Sequence, residues 1–137
     1  MINGRKQSKL MWLAAVFAAC CCSSCCFDIV HVKQVPAQLD TKSPPKSSWT
    51  LVEKVDVQLD TWYKTSLKSG TKWQYVGGVS HGEVYRTDDQ IVTVEGSNTF
   101  EAYVVLSGDG LVGFYLPVEK TFSPLGRPVP LKIKRTD

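Results

Sequence analysis

Beyond Cys26 this 137-residue chain has no cysteine, and all five of its cysteines fall between positions 20 and 26. A disulfide framework needs half-cystines spread along the domain it staples, so none is available to the body of the chain. Histidine is nearly as scarce, with only His31 and His81. After position 27 there is neither a long apolar run nor a helical stripe, which leaves no candidate there for a membrane-spanning or amphipathic helix. Walker, EF-hand and nucleophile-elbow motifs are missing, and Gly108-Asp109-Gly110 leads into a strand pattern rather than a helix. No cofactor is implied. The formal net charge of +3 comes from the front of the chain, where Arg5, Lys6 and Lys9 precede Cys20 while every acidic residue follows it. From Cys20 onward the charges balance, and the basic face required for nucleic-acid binding is lacking.

What is present begins with Leu10 to Cys20, LMWLAAVFAAC, behind that basic cluster. A positive n-region, an apolar core of about 7–15 residues and a small-residue cleavage site define a secretory signal. Residues 1–9 supply the charge, Leu10 to Phe17 the core, and Ala18-Ala19 the small pair. Phe17-Ala18-Ala19-Cys20 resembles the bacterial lipobox, with Phe17 standing where Leu is commonest. The resemblance covers residues 5–20 and implies that 1–19 is a signal peptide and that Cys20 is the lipid attachment residue. Cys21, rather than Asp, follows it. In enterobacterial-type sorting this implies the periplasmic face of the outer membrane; in a Gram-positive host the same signal implies the outer leaflet of the plasma membrane. The competing reading is a spanning anchor, because residues 10–27 carry no charged side chain and reach the lower limit of roughly 17–25 residues for a spanning helix. The Cys cluster would then be a palmitoylation site.

Cys21, Cys22, Cys25 and Cys26 offer four thiols that could bind zinc. Adjacent thiols in one short segment close poorly around a single ion, so extra acylation or incidental pairing is the preferred reading. Residues 20–48 read as the lipidated cluster and a flexible linker, with Pro36, Pro44 and Pro45 among Lys and Ser. Within this stretch VKQVPAQLDT (32–41) matches VEKVDVQLDT (52–61) at six of ten positions. One doubled segment is no solenoid, but it leaves 32–41 open as a marginal edge strand, where Pro is tolerated.

From Trp49 to Asp137 the period is two. Strands are predicted near 50–61, at Trp73–Val76 (ended by Gly77-Gly78), Glu83–Arg86, Ile91–Glu95, Phe100–Leu106 and Leu111–Leu116. Ser107-Gly108-Asp109-Gly110 is a hairpin signal. Leu111–Leu116 is apolar on both faces and therefore central. Residues 117–128 read as a loop with one short helical turn, and Val129–Ile133 as a last edge strand. The prediction is a mainly β domain at 49–137, a small SH3-like or related open barrel of five to seven antiparallel strands.

Candidates for chemistry are few. His31 lies in the linker. Ser80, His81 and Glu83 could form a nucleophile, base and orienting carboxylate, but on a strand Ser80 and His81 point to opposite faces, and a polar bend is preferred. Asp88-Asp89 sits at a turn where acidic residues are ordinary. An enzyme is not expected. Aromatics are plentiful, and Trp62, Tyr63, Trp73, Tyr75, Tyr103 and Tyr115 are the candidate binding surface, such as the grooves with which SH3-like domains hold extended peptides. FSPLGRPVP (122–130) could be docked across that surface as a lid. The body looks like the small β-rich lipoproteins of Gram-negative envelopes. The expectation is a tethered binding or structural module for an envelope protein or peptide, with glycan or peptidoglycan capture and hydrolase inhibition as alternatives.

Overall fold

Alternating apolar and polar side chains put one row of each strand against a core, and here many strands are apolar on both rows. The structure, a computed structural model, describes residues 29–136; the leader, Cys20 and the cysteine cluster lie outside the described residues. Among these the chain forms strands and turns: β1 (Val35–Pro36), β2 (Ser48–Leu51), β3 (Val55–Gln58), β4 (Lys64–Leu67), β5 (Lys72–Val79), β6 (Gly82–Arg86), β7 (Thr93–Glu95), β8 (Thr99–Glu101), β9 (Tyr103–Ser107), β10 (Gly110–Leu116), β11 (Thr121–Pro130) and β12 (Ile133–Thr136). No helix of the described residues is long and apolar enough to cross a membrane.

Eight strands make one antiparallel sheet in the order β1-β11-β10-β9-β6-β5-β2-β12, and β3-β4 and β7-β8 are separate hairpins. The mainly β, antiparallel prediction holds, with more strands than the five to seven expected. Only Leu131 and Lys132 separate β11 from β12, yet these strands stand near opposite ends of the order. The sheet therefore curls until its ends approach. Leu131 N–H donates to the Asp109 carbonyl at 3.0 Å, and Arg135 donates to the Asp109 carboxylate at 3.0 Å, tying β12 to the β9–β10 turn. Among the described residues no ladder joins β12 to β1, so the curl is linked by chain rather than closed by hydrogen bonds.

Both faces of the sheet are covered. On one, Trp49, Leu51, Trp73, Tyr85, Val104, Leu106, Leu111, Phe114 and Leu116 form the main core with Val57, Leu59 and Leu67 of the β3–β4 hairpin and Val92 and Val94 beside it. Trp49 and Trp73 are cross-strand partners whose rings stack at 5.4 Å, with Tyr85 edge-on to Trp49 at 5.6 Å. On the opposite face Val84, Val105, Tyr115 and Phe122 are buried beneath Val35, Ala37 and Leu39. β10 is central, as predicted: it lies between β9 and β11, and residues of each parity are buried. A bulge between Leu111 and Gly113 resets that parity, so Leu111 and Phe114 share a face although they are three apart.

Five expectations change. The stretch expected as a flexible linker is packed from its described start. Val35-Pro36 pairs with Phe122-Thr121 at the sheet edge, and Asp40 and Gly78 exchange backbone hydrogen bonds at 2.8 and 2.9 Å. The folded unit thus includes residues before Trp49. The doubled segment has a structural counterpart: Val35, Ala37 and Leu39 cover one face, and Val55, Val57 and Leu59 the other. The strand expected at 50–61 breaks at Val52–Lys54 into β2 and β3, which belong to different sheets, and the one at 100–106 breaks at Ala102, whose N–H goes to the Val92 carbonyl. β5 continues through Gly77-Gly78 by a bulge after Tyr75. Finally, 121–130 is neither loop nor lid but β11. Its prolines are admissible because β1 pairs only with Thr121 and Phe122, leaving the outer edge beyond them free of a ladder. Between Pro124 and Val129 this strand swings away from β10, since Gly113 faces Pro124 while Leu111 faces Val129.

Candidate functional site

The six aromatics of the predicted surface do not converge. Trp73 and Tyr115 are buried, at 0% and 4% exposure, which removes them as contact residues. Trp73 Nε1 is satisfied by Thr71 Oγ1 at 2.9 Å, and Tyr115 pairs with Tyr103 across the second face, 6.5 Å between centroids. Burial, with Tyr103 as the lesser cause, raises the Tyr115 hydroxyl pKa. Tyr75 is half-buried, edge-on to Tyr85 at 5.7 Å, its hydroxyl 3.0 Å from Ser43 Oγ. Parity failed for Tyr115 and its neighbour Tyr103 because nothing within their own strands reveals that a distant segment, with Val35, Ala37 and Leu39, covers their outward row.

Trp62 and Tyr63 are different. They sit in the turn joining β3 to β4, at 86% and 47% exposure. Leu59 N–H donates to the Tyr63 carbonyl at 2.9 Å and Trp62 N–H to the Leu59 carbonyl at 3.1 Å, closing the turn tightly enough to hold Trp62 at φ 71°. A bulky residue there is a conformational outlier. Thr61 Oγ1 donates to the Glu95 carbonyl and Thr65 Oγ1 to the Thr93 carbonyl at 2.6 Å, fastening this hairpin to β7.

Beside the turn lies an open groove of about 480 Å³ between β3 and the outward swing of β11, lined by Asp56, Gln58, Asp60, Leu125, Arg127 and Val129. Among the described residues β3 pairs with β4 alone, so its other edge carries no ladder, and Asp56, Gln58 and Asp60, which form one row of the strand, line this groove. Gln58 Nε2 is 3.3 Å from the Tyr63 carbonyl. The Ser66 hydroxyl donates to Asp56 at 2.5 Å, and with Lys54 this lowers the Asp56 carboxyl pKa below its ordinary value. Asp56 is therefore an anion at neutral pH. The groove went unrecognised in the sequence because it needs both the isolation of β3 and the swing of β11, and the latter read as a loop.

A second, smaller cavity of about 220 Å³ is lined by Trp73, Asp88, Gln90, Glu101 and Tyr103 among others. Asp89 accepts the Lys72 N–H at 2.7 Å and Asp88 lies 3.4 Å from Arg86, so the acidic pair braces a turn. Ser80 and His81 occupy the two-residue turn between Val79 and Gly82, where strand parity does not operate. Against the parity argument, Ser80 Oγ lies 3.2 Å from His81 Nδ1. The expected third member is engaged elsewhere: Glu83 accepts from the Tyr85 hydroxyl at 2.8 Å and pairs with Lys46 at 3.8 Å, while the His81 ring stacks on Phe122 at 4.0 Å. His31 is exposed on the N-terminal segment. Among the described residues no three His, Cys, Asp or Glu side chains are grouped to hold a metal ion. No family model, curated protein or solved structure matches this chain.

Proposed function

We propose that this chain is a lipid-tethered envelope protein whose β-domain is a non-enzymatic binding module, attached through Cys20 and presented on the periplasmic face of the outer membrane. The observation that carries the binding half is the open groove lined by one row of β3 and by the swing of β11, on a strand whose other edge has no ladder among the described residues. An extended peptide can add to such an edge, its backbone supplying the ladder and its side chains the specificity. Asp56 and Asp60 on one wall and Arg127 on the other favour a peptide of mixed charge. Confinement to a bilayer raises the partner's effective concentration, so a modest interface suffices. The anchoring half is supported by Phe17-Ala18-Ala19-Cys20 and its basic, apolar approach.

A photo-crosslinking side chain at Gln58, in intact cells, tests the groove. A discrete protein or peptide adduct that disappears when Arg127 is replaced by Glu supports the reading, and the absence of any adduct at Gln58 counts against it. A second reading, capture of a small polar ligand or glycan fragment, is favoured by the cavity beside Tyr103 with Asp88, Gln90 and Glu101 on its walls.

A further inference from the structure

Trp62 is the most exposed large apolar side chain among the described residues, and its surroundings say what covers it. The turn Glu95-Gly96-Ser97 holds two other segments at once. Thr61 Oγ1 donates to the Glu95 carbonyl, and Ser97 N–H donates to the Val30 carbonyl at 2.8 Å. Val32 and Lys33 share a small crevice with Leu59, Asp60 and Thr61. The first described residues therefore enter the fold at the end of the molecule that carries Trp62. Ile29, 61% exposed, lies at that entry point. Lys33, which shares that crevice, Lys64, which follows Tyr63, and Arg127, which lines the groove with Asp60, are all exposed. Asp60 and Glu95 are anions among the described residues there, and Asp28 directly precedes Ile29 in the sequence.

Cys20 precedes Ile29 by nine positions, which span at most about 30 Å fully extended. A lipid on Cys20 keeps this end of the domain within about one domain diameter of the bilayer, and every shorter path brings Trp62 nearer. Indole prefers the headgroup region, where its apolar body leaves water while its N–H stays solvated, and Lys or Arg beside it reach phosphate. We infer that Trp62, with Ile29, is a membrane-docking tip that seats the domain on the bilayer bearing its anchor, with the β3 groove close to the membrane surface. This inference rests on the lipid-anchor reading.

The chain supplies its own reporter. From Cys20 onward its tryptophans are Trp49, Trp62 and Trp73, and Trp49 and Trp73 are fully buried. The mature lipidated protein, reconstituted into phosphatidylethanolamine–phosphatidylglycerol vesicles, is challenged with acyl-chain-brominated lipid and separately with aqueous acrylamide. The expected result is quenching by brominated lipid, protection from acrylamide, and loss of the lipid-quenched component in both Trp62→Phe and Trp62→Gly. A protein that floats with the vesicles while Trp62 stays open to acrylamide and untouched by brominated lipid overturns the docking and leaves the anchor standing. A protein that does not float overturns the anchor and the docking with it. A photo-crosslinker at position 62 that captures protein instead of lipid in cells also overturns the docking and assigns the tip to the partner.

Discussion

Trp62 has left-handed backbone geometry, with φ 71°, and little of its ring is buried. Left-handed geometry costs a side-chain-bearing residue roughly 1–2 kcal/mol relative to its preferred wells, and an exposed indole returns little of that through packing. Trp62→Gly is therefore expected to hold or raise stability, by up to about 1 kcal/mol, as read from the urea midpoint. A marked loss would mean that the ring supports the fold. Tyr85 gives a second residue-level prediction. Burial first, then the hydrogen bond to Glu83, push its hydroxyl pKa from 10.0 up to about 12. A raised folded-state pKa favours the protonated form in the native protein, so the stability it contributes is complete below pH 10 and is lost as pH rises toward about 12. Alkaline titration followed by tyrosinate absorbance should show a late-ionising hydroxyl coincident with unfolding that is lost in Tyr85→Phe, in addition to the upward-shifted hydroxyl of Tyr115.

Among the elements, the N-terminal segment and β11 are the ones whose roles differ most from their composition. Val35, Ala37 and Leu39 lie over Val84, Val105, Tyr115 and Phe122 and exclude water from the second face. Leu39 is half-buried, so Leu39→Ala is expected to cost about 1–2 kcal/mol, less than a fully buried leucine. Chemical denaturation decides between the roles, since a tether residue would give no change. At Gly113 a Cβ would meet the Phe122 ring at 2.6 Å and strike the Ser123 carbonyl. Gly113→Ala forces β10 and β11 apart and is expected to lower stability by about 1–3 kcal/mol, again measured by denaturant midpoint. Prolines at 124 and 128 read as loop because Pro removes a ladder donor, and Pro130 as part of an edge strand. They are accommodated because β11 has a partner along most of its length on one side only.

For the whole molecule, the proposed anchor and the domain would be separable parts. Cys20→Ala is expected to leave the unfolding transition of the β-domain unchanged and to move the protein from the membrane to the soluble fraction, as read by fractionation. Continued membrane association after that change would favour the spanning-anchor reading. Curling of the sheet brings β12 to the β9–β10 turn through Asp109 and Arg135, and the Glu95–Ser97 turn, bonded to both Thr61 and Val30, places the N-terminal entry and the β3–β4 turn at one end. The β3–β4 turn and the N-terminal entry are thereby neighbours in space, although Ile29 and Trp62 are distant in sequence.

Local alternation by itself determined most strands, the Ser107–Gly110 hairpin and the central place of Leu111–Leu116, because period-two patterning and turn chemistry are properties of adjacent residues. Tertiary structure alone decided which apolar row faces which core, because a bulge shifts parity by one residue and a covering segment is supplied from far along the chain. That is why Trp73 and Tyr115 are interior, why two copies of one alternating decapeptide cover opposite faces, and why the groove along β3 exists at all.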